Sequence, residues 1–260
     1  MSAARRVTRG RAIALCLMAG VAGIAGCESD RNIKSESMTS EAKDNTTAVQ
    51  EPAASTTPSS RSIRKPVVLF FGTSLTAGLG LEPEQAFPSL IEKLADSAGL
   101  PIRAVNAGLS GETSAGAARR IDWVLRTPAD VVVLEVGAND ALRGLAPAAA
   151  KNNLESLIAS VRRKQPRATI VLIQMEAPPN FGVVYTRSFR SIYADVAKQQ
   201  NVPLLPFLLD GVAGIPRLNQ ADGIHPNLAG EQIVAANLWR ALKPVIARVA
   251  NARDSLTVGQ

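Results

Sequence analysis

Residues 67–75 read VVLFFGTSL: five apolar residues in a row, then a glycine, a threonine and a serine. A strand with only one face in the core alternates apolar and polar residues. A run that is apolar at every position instead fits a parallel strand covered on both faces. Two further runs, VVVLEV at 131–136 and TIVLIQ at 169–174, are nearly continuous apolar and read the same way. Working outward, strands are predicted at 67–71, 102–107, 131–136, 169–174 and 202–206. Helices are predicted at 84–98, 114–126, 152–164, 185–200 and 227–242, with Pro128, Pro166, Pro203 and Pro226 at the boundaries. This alternation predicts an α/β fold, a three-layer α/β/α sandwich on a mainly parallel five-stranded sheet. Residues 65–250 suffice for one such domain with a substantial core.

In a sheet of this kind, sites form at the carboxyl ends of the strands. The polar residues of interest fall there. Ser74 follows the first strand, the stretch NAGLSG (106–111) the second, GAND (137–140) the third, and Asp222 and His225 the fifth. His225 is the only histidine in the chain. A Ser-His-Asp chemistry would therefore have one possible base, with Asp222 three residues before it to orient the ring. Taken singly, each residue has an ordinary explanation: Ser74 and Asn139 as caps, Asp222-Gly223 as a turn, His225-Pro226 as a helix start.

Taken together, four blocks in order resemble the SGNH, or GDSL-type, hydrolase family, in particular its bacterial arylesterase, thioesterase and lysophospholipase branch. The blocks are FGTSL (71–75), NAGLSGETSAG (106–116), EVGANDALRG (135–144) and DGIH (222–225). The resemblance covers about residues 67–242 and implies a flavodoxin-like sandwich. It implies Ser74 as nucleophile, His225 as base and Asp222 as its orienting acid. The backbone amides of Ser74 and Gly111 and the side chain of Asn139 would form the oxyanion hole. The chemistry implied is hydrolysis of short- to medium-chain carboxylic esters through an acyl-enzyme, with thioesters or lysophospholipids as further substrates and no cofactor. Thr73 departs from the pattern, since the family has aspartate there and this chain reads GTSL. Loss of that loop carboxylate predicts an altered or reduced rate and is the best sequence argument for a non-catalytic member. Glu112, where the family has aspartate, keeps the charge.

The amino terminus reads as an export signal (1–26): Arg5, Arg6, Arg9 and Arg11 precede a 14-residue apolar core at 12–25. That core is shorter than the ~20 residues a spanning helix needs. It ends in Ile24-Ala25-Gly26-Cys27, which resembles a bacterial lipobox and implies lipid on Cys27. The expected location is the cell envelope, on the periplasmic side of the outer membrane in a Gram-negative host. Residues 27–64 lack large apolar side chains and read as a disordered tether; 251–260 read as a flexible tail. Removal of the signal leaves 25 basic and 22 acidic side chains, a net of +3, so the basic whole-chain charge gives no case for nucleic acid binding. With Cys16 in the signal and Cys27 lipidated, the folded body has no thiolate, and one histidine without cysteines gives no metal pattern. A monomer is favoured.

Leu75, Leu79, Leu81, Phe87, Leu109, Met175, Pro178, Pro179, Phe181 and Tyr185 place apolar material near the expected site, suited to an acyl chain. One alternative is a carbohydrate or peptidoglycan O-acetylesterase. Trp123 and Trp239 fall in predicted helices rather than in site loops, so no aromatic platform for sugars is visible. A second alternative is a surface lipoprotein that binds a partner without turnover.

Overall fold

In a computed structural model that describes residues 64–258, the run at 67–71 forms β1 (Val67–Gly72), buried at every position. The other strands are β2 (Arg103–Gly108), β3 (Val131–Leu134), β4 (Thr169–Ile173) and β5 (Leu204–Leu205). Their order across the sheet is β2-β1-β3-β4-β5, and every ladder is parallel. This is the flavodoxin-like order, and its switch point lies between β1 and β3. The central strands β1 and β3 are fully buried, as their unbroken apolar runs require, whereas the edge strand β2 is part-exposed and includes Arg103 and Asn106.

Seven helices are described: α1 (Ser74–Ala77), α2 (Phe87–Ser97), α3 (Ser114–Val124), α4 (Ala138–Leu142), α5 (Pro147–Lys164), α6 (Gly182–Gln199) and α7 (Leu228–Val258). α2 packs against α7, while α3, α5 and α6 pack side by side as a second layer. Phe70 meets Phe87 of α2 edge to face at 5.8 Å, a pairing that contributes about 0.5–1.5 kcal/mol beyond burial. The start of α2 lacks a side-chain cap of its own. Glu231 of α7, 2 % exposed, supplies one by accepting the Phe87 N–H at 2.7 Å.

Two kinds of element differ from the sequence expectation. α1 and α4 are single turns on the serine and asparagine loops, too short to show an apolar period. α7 continues past Leu242 to Val258, through residues read as a flexible tail. Pro244 sits inside it, Val245 and Ile246 extend its buried stripe, and Arg253 pairs with Asp130. The readings of a signal, a lipobox, Cys27 and a tether lie outside the described residues.

Candidate active site

Ser74, Asp222 and His225 meet at the carboxyl edge of the sheet. His225 Nε2 lies 2.8 Å from Ser74 Oγ, and His225 Nδ1 lies 2.6 Å from Asp222 Oδ2. An ionised Asp222 takes its bond from Nδ1–H, which leaves Nε2 as the acceptor for the serine hydroxyl. The loop from 219 to 226 is folded to make this possible. Asp222 Oδ1 accepts the backbone N–H groups of Ile224 (2.9 Å) and His225 (3.0 Å), closing the turn that brings the acid back to the imidazole. Gln220 Nε2 donates to Leu79 O and Pro226 O, tying this loop to the segment after the serine helix. The hydrogen bond from the His225 ring, with the two amides behind it, lowers the Asp222 carboxyl to about 2, although its side chain is 44 % exposed. It is ionised throughout the neutral range.

Ser74 is the first residue of α1, and Thr73 before it is extended (φ −100°, ψ −152°). As the first helical residue, Ser74 has an N–H that no preceding carbonyl of the helix accepts, so the amide is free for a ligand oxygen. Ser74 is only 7 % exposed, and α1 is pressed against β2.

Asn139 lies in the first turn of α4, beyond β3. Its Nδ2 donates to Glu112 O at 3.1 Å, which uses one amide proton and leaves the other. The two loops are joined a second time by the neighbouring Asp140, whose carboxylate accepts from Ser114 N–H (2.7 Å) and Ser114 Oγ–H (2.5 Å). Asp140 is thus a strut between α4 and α3 and does not meet His225. Gly111 has φ +76°, a region that favours glycine, while a Cβ there would meet nothing within 4 Å. Backbone conformation, rather than crowding by the protein, calls for glycine at 111.

Three groups absent from the sequence expectation support this arrangement. Arg120 of α3 grips Glu112 through Nε and Nη2, donates to Ala107 O through Nη1, and lies 4.3 Å from the centre of the Phe71 ring. It fixes the loop that carries Gly111. The Tyr193 hydroxyl donates to Val136 O at 2.9 Å and steadies the start of the asparagine loop. Glu135, at the end of β3, is 1 % exposed and accepts Thr73 N–H at 2.8 Å, Thr73 Oγ1–H at 3.0 Å and Thr76 Oγ1–H at 2.8 Å. Burial pushes its carboxyl up to about 7, against the pull of these hydrogen bonds. The turn before Ser74 therefore has a carboxylate beneath it even though position 73 is threonine. The signal for Glu135 was in the sequence: one acid inside the otherwise apolar run VVVLEV.

Beside the triad lies an apolar cleft of about 360 Å³, lined by residues that include Leu75, Met175, Pro178, Phe207, Leu209 and Ile224. Of the apolar residues expected near the site, Leu75, Met175, Pro178 and Pro179 line it, whereas Phe87 belongs to the core. Trp123 is exposed on α3 and Trp239 packs on the core from α7, so neither is a site aromatic. Among the described residues no group of three or more His, Cys, Asp or Glu side chains is placed to hold a metal ion.

Residues 70–233 match the GDSL-like lipase/acylhydrolase family. Esterase TesA of Pseudomonas aeruginosa is 41 % identical over 181 residues, covering 69 % of this chain and 89 % of that protein. Thioesterase 1/protease 1/lysophospholipase L1 of Escherichia coli K12 is 34 % identical over 180 residues, covering 69 % and 84 %. Among solved structures, the psychrotrophic esterase EstA from Pseudoalteromonas sp., inhibited by monoethylphosphonate, superposes with a TM-score of 0.66 at 30 % identity, over 70 % of this chain and all of that one. This protein belongs to the GDSL-like lipase/acylhydrolase family and is a serine-type hydrolase of carboxylic esters.

Proposed function

We propose that Ser74 is the nucleophile, His225 the general base and then acid, and Asp222 the group that fixes the imidazole. The observation that carries this reading is the unbroken line Ser74 Oγ–His225 Nε2–Asp222 at 2.8 and 2.6 Å beside an apolar cleft. Ser74 Oγ attacks the acyl carbon as its proton passes to Nε2. The oxyanion that forms is met by the Ser74 and Gly111 amides and the Asn139 carboxamide, each such donor contributing about 2.7–4 kcal/mol to the transition state. Collapse expels the alcohol or thiol, which takes the proton from Nε2. Water then repeats the sequence on the acyl-enzyme and frees the acid.

The substrates we assign are short- to medium-chain esters, with thioesters and lysophospholipids of matching acyl chain as further candidates. Leu75 stands directly after the nucleophile, and Met175, Phe207 and Ile224 continue the apolar wall, which suits an alkyl chain better than an acetylated sugar. A retained Ser74–His225 contact also speaks against a purely binding role for the chain. We further infer an exported domain tethered through lipid on Cys27, supported by the pattern Ile24-Ala25-Gly26-Cys27 behind a short apolar core.

The test is turnover of p-nitrophenyl acetate, butyrate and octanoate, with mass spectrometry after treatment with an alkyl fluorophosphonate. The expected result is a single adduct on the peptide containing Ser74 and a specificity constant at least as high for butyrate as for acetate. An adduct elsewhere would overturn the assignment of the nucleophile, and a strong preference for acetate would shift the reading to an acetylesterase. For Cys27, the lipid should appear on the mature amino terminus by mass spectrometry and be lost in Cys27→Ser.

A further inference from the structure

Glu135 is an unusual group to find at the bottom of this site. It is a carboxylate 1 % exposed at the end of a central strand, and the hydrogen bonds it accepts come from Thr73 and Thr76, the residues on either side of the Ser74-Leu75 pair. One of those bonds holds the Thr73 backbone N–H, the last amide before the nucleophile. The others hold the two hydroxyls that bracket the first turn of α1. The space is closed on the strand side as well: a Cβ on Gly72 would stand 2.6 Å from Glu135 Oε2 and 2.0 Å from Thr76 Oγ1. Only glycine at 72 lets β1 pass over this carboxylate.

We propose that Glu135 is a positioning residue for the nucleophile. By gripping residues 73 and 76 it fixes the extended entry into α1, and so the direction in which Ser74 Oγ points at His225. Thr73 is the partner this arrangement needs. A hydroxyl donates to Glu135 when the acid is ionised and accepts from it when the acid is protonated, so the turn keeps a bond in either state. A carboxylate at 73 would face Glu135 at hydrogen-bond range, and the two would have to share a proton.

Burial is what makes ionisation of Glu135 costly, and its charge in turn pushes up the nearby Glu231 carboxyl and Tyr193 phenol. Glu231 of α7 and the Tyr193 phenol of α6 each interact with it electrostatically, and no cation supplies any of the hydrogen bonds it accepts. The neutral amide and hydroxyl donors of the serine turn are what offset its burial. Protonation removes acceptor capacity from the Thr73 N–H and the Thr76 hydroxyl, so the acid limb of the rate profile should carry Glu135.

The inference rests on Ser74 being the nucleophile. The full chain is compared with Ser74→Ala, Glu135→Gln, Thr73→Val, Thr73→Ser and Thr73→Asp. The readouts are kcat and KM on p-nitrophenyl butyrate across pH, the rate of Ser74 labelling by an alkyl fluorophosphonate, and the melting temperature. Glu135→Gln should lower kcat about 10- to 100-fold, as misplacement of a reacting group does, with KM nearly unchanged and labelling slowed in parallel. Thr73→Val should lose part of the rate, and Thr73→Ser should recover it. Thr73→Asp should move the acid limb of kcat/KM upward by about one pH unit or more, because the paired carboxyls retain a proton. Folded Glu135→Gln with native kcat and labelling rate would overturn the proposal. If Glu135→Gln does not fold, native rates in Thr73→Val with an unmoved acid limb in Thr73→Asp would do so. Native turnover and labelling equal to those of Ser74→Ala would instead sink the nucleophile assignment itself, a result no Glu135 variant can produce.

Discussion

Two carboxylates flank Ser74, in opposite surroundings. Asp222 sits on a loop with its side chain 44 % exposed, and the imidazole and backbone amides around it lower its carboxyl to about 2. Glu135 sits in the core under the same serine, and burial raises its carboxyl to about 7. The exposed acid is the one committed to charge; the buried one is poised near neutrality. Exposure lets Asp222 stay ionised at little cost, so it can meet the imidazolium that forms during attack. Burial lets Glu135 hold backbone and hydroxyls rigidly, because hydrogen bonds to it compete with no water. On the roles proposed above, one side of the serine supplies electrostatics and the other supplies geometry.

The comparison breaks most visibly at the exposed side. Asp222→Asn keeps the shape of the turn but favours the wrong imidazole tautomer, and kcat on p-nitrophenyl butyrate should fall by about 10⁴-fold. A loss below tenfold would mean that the exposed acid does no electrostatic work. Next comes Asn139→Ala, which should cost about 10²–10³ in kcat with little change in KM, as the carboxamide acts on charge that exists only in the transition state. The Arg120–Glu112 pair, with side chains 18 % and 6 % exposed, tests whether the geometric side reaches the Gly111 loop. Arg120→Met leaves Glu112 uncompensated and should cost about 3 kcal/mol in urea unfolding. A change under 0.5 kcal/mol, an order-of-magnitude threshold for surface substitutions, would show the pair to be peripheral.

The smallest effect concerns pH and stability. Glu135 and Glu231 are raised from 4.5 to about 7 and about 8. Through that window the folded chain retains protons that the unfolded chain has released. Stability from these two groups is therefore full below about pH 4.5 and is lost as the pH rises toward about 8. Asp222, lowered instead, contributes stability that is present above the ordinary carboxylate range and disappears only as the pH falls toward about 2. Melting temperatures from pH 5 to 9, roughly the span of that window, should fall with rising pH, and Glu231→Gln should flatten the fall. An equally steep fall in the variant would contradict the assignment.

The sheet was legible because its central strands are apolar at every position, a pattern set by burial on both faces. What escaped was short or nonlocal. α1 and α4 have too few residues to carry a period, and α7 runs on past its expected end at 242 into residues read as a flexible tail. The meeting of Ser74 with His225 could be expected because the chain has one histidine and the loops share a sheet edge. Arg120 could not, since its partners lie at 72, 107 and 112 and only the fold assembles them. Glu135 was readable as an acid in an apolar strand, but not its direction toward Thr73. The departure at Thr73, which counted against catalysis on sequence alone, became intelligible once that direction was known.

On the reading proposed above, Ser74 Oγ, aligned by its two carboxylate-bearing neighbours, forms the bond to the acyl carbon. The most direct measurement is kcat of Ser74→Ala against the native chain on p-nitrophenyl butyrate, with the fold of both checked by circular dichroism. The expected loss is about 10⁴- to 10⁶-fold, comparable to removing the nucleophile from other Ser-His-Asp enzymes. A folded variant within tenfold of native would contradict it, since no arrangement around Ser74 could then matter to the chemistry.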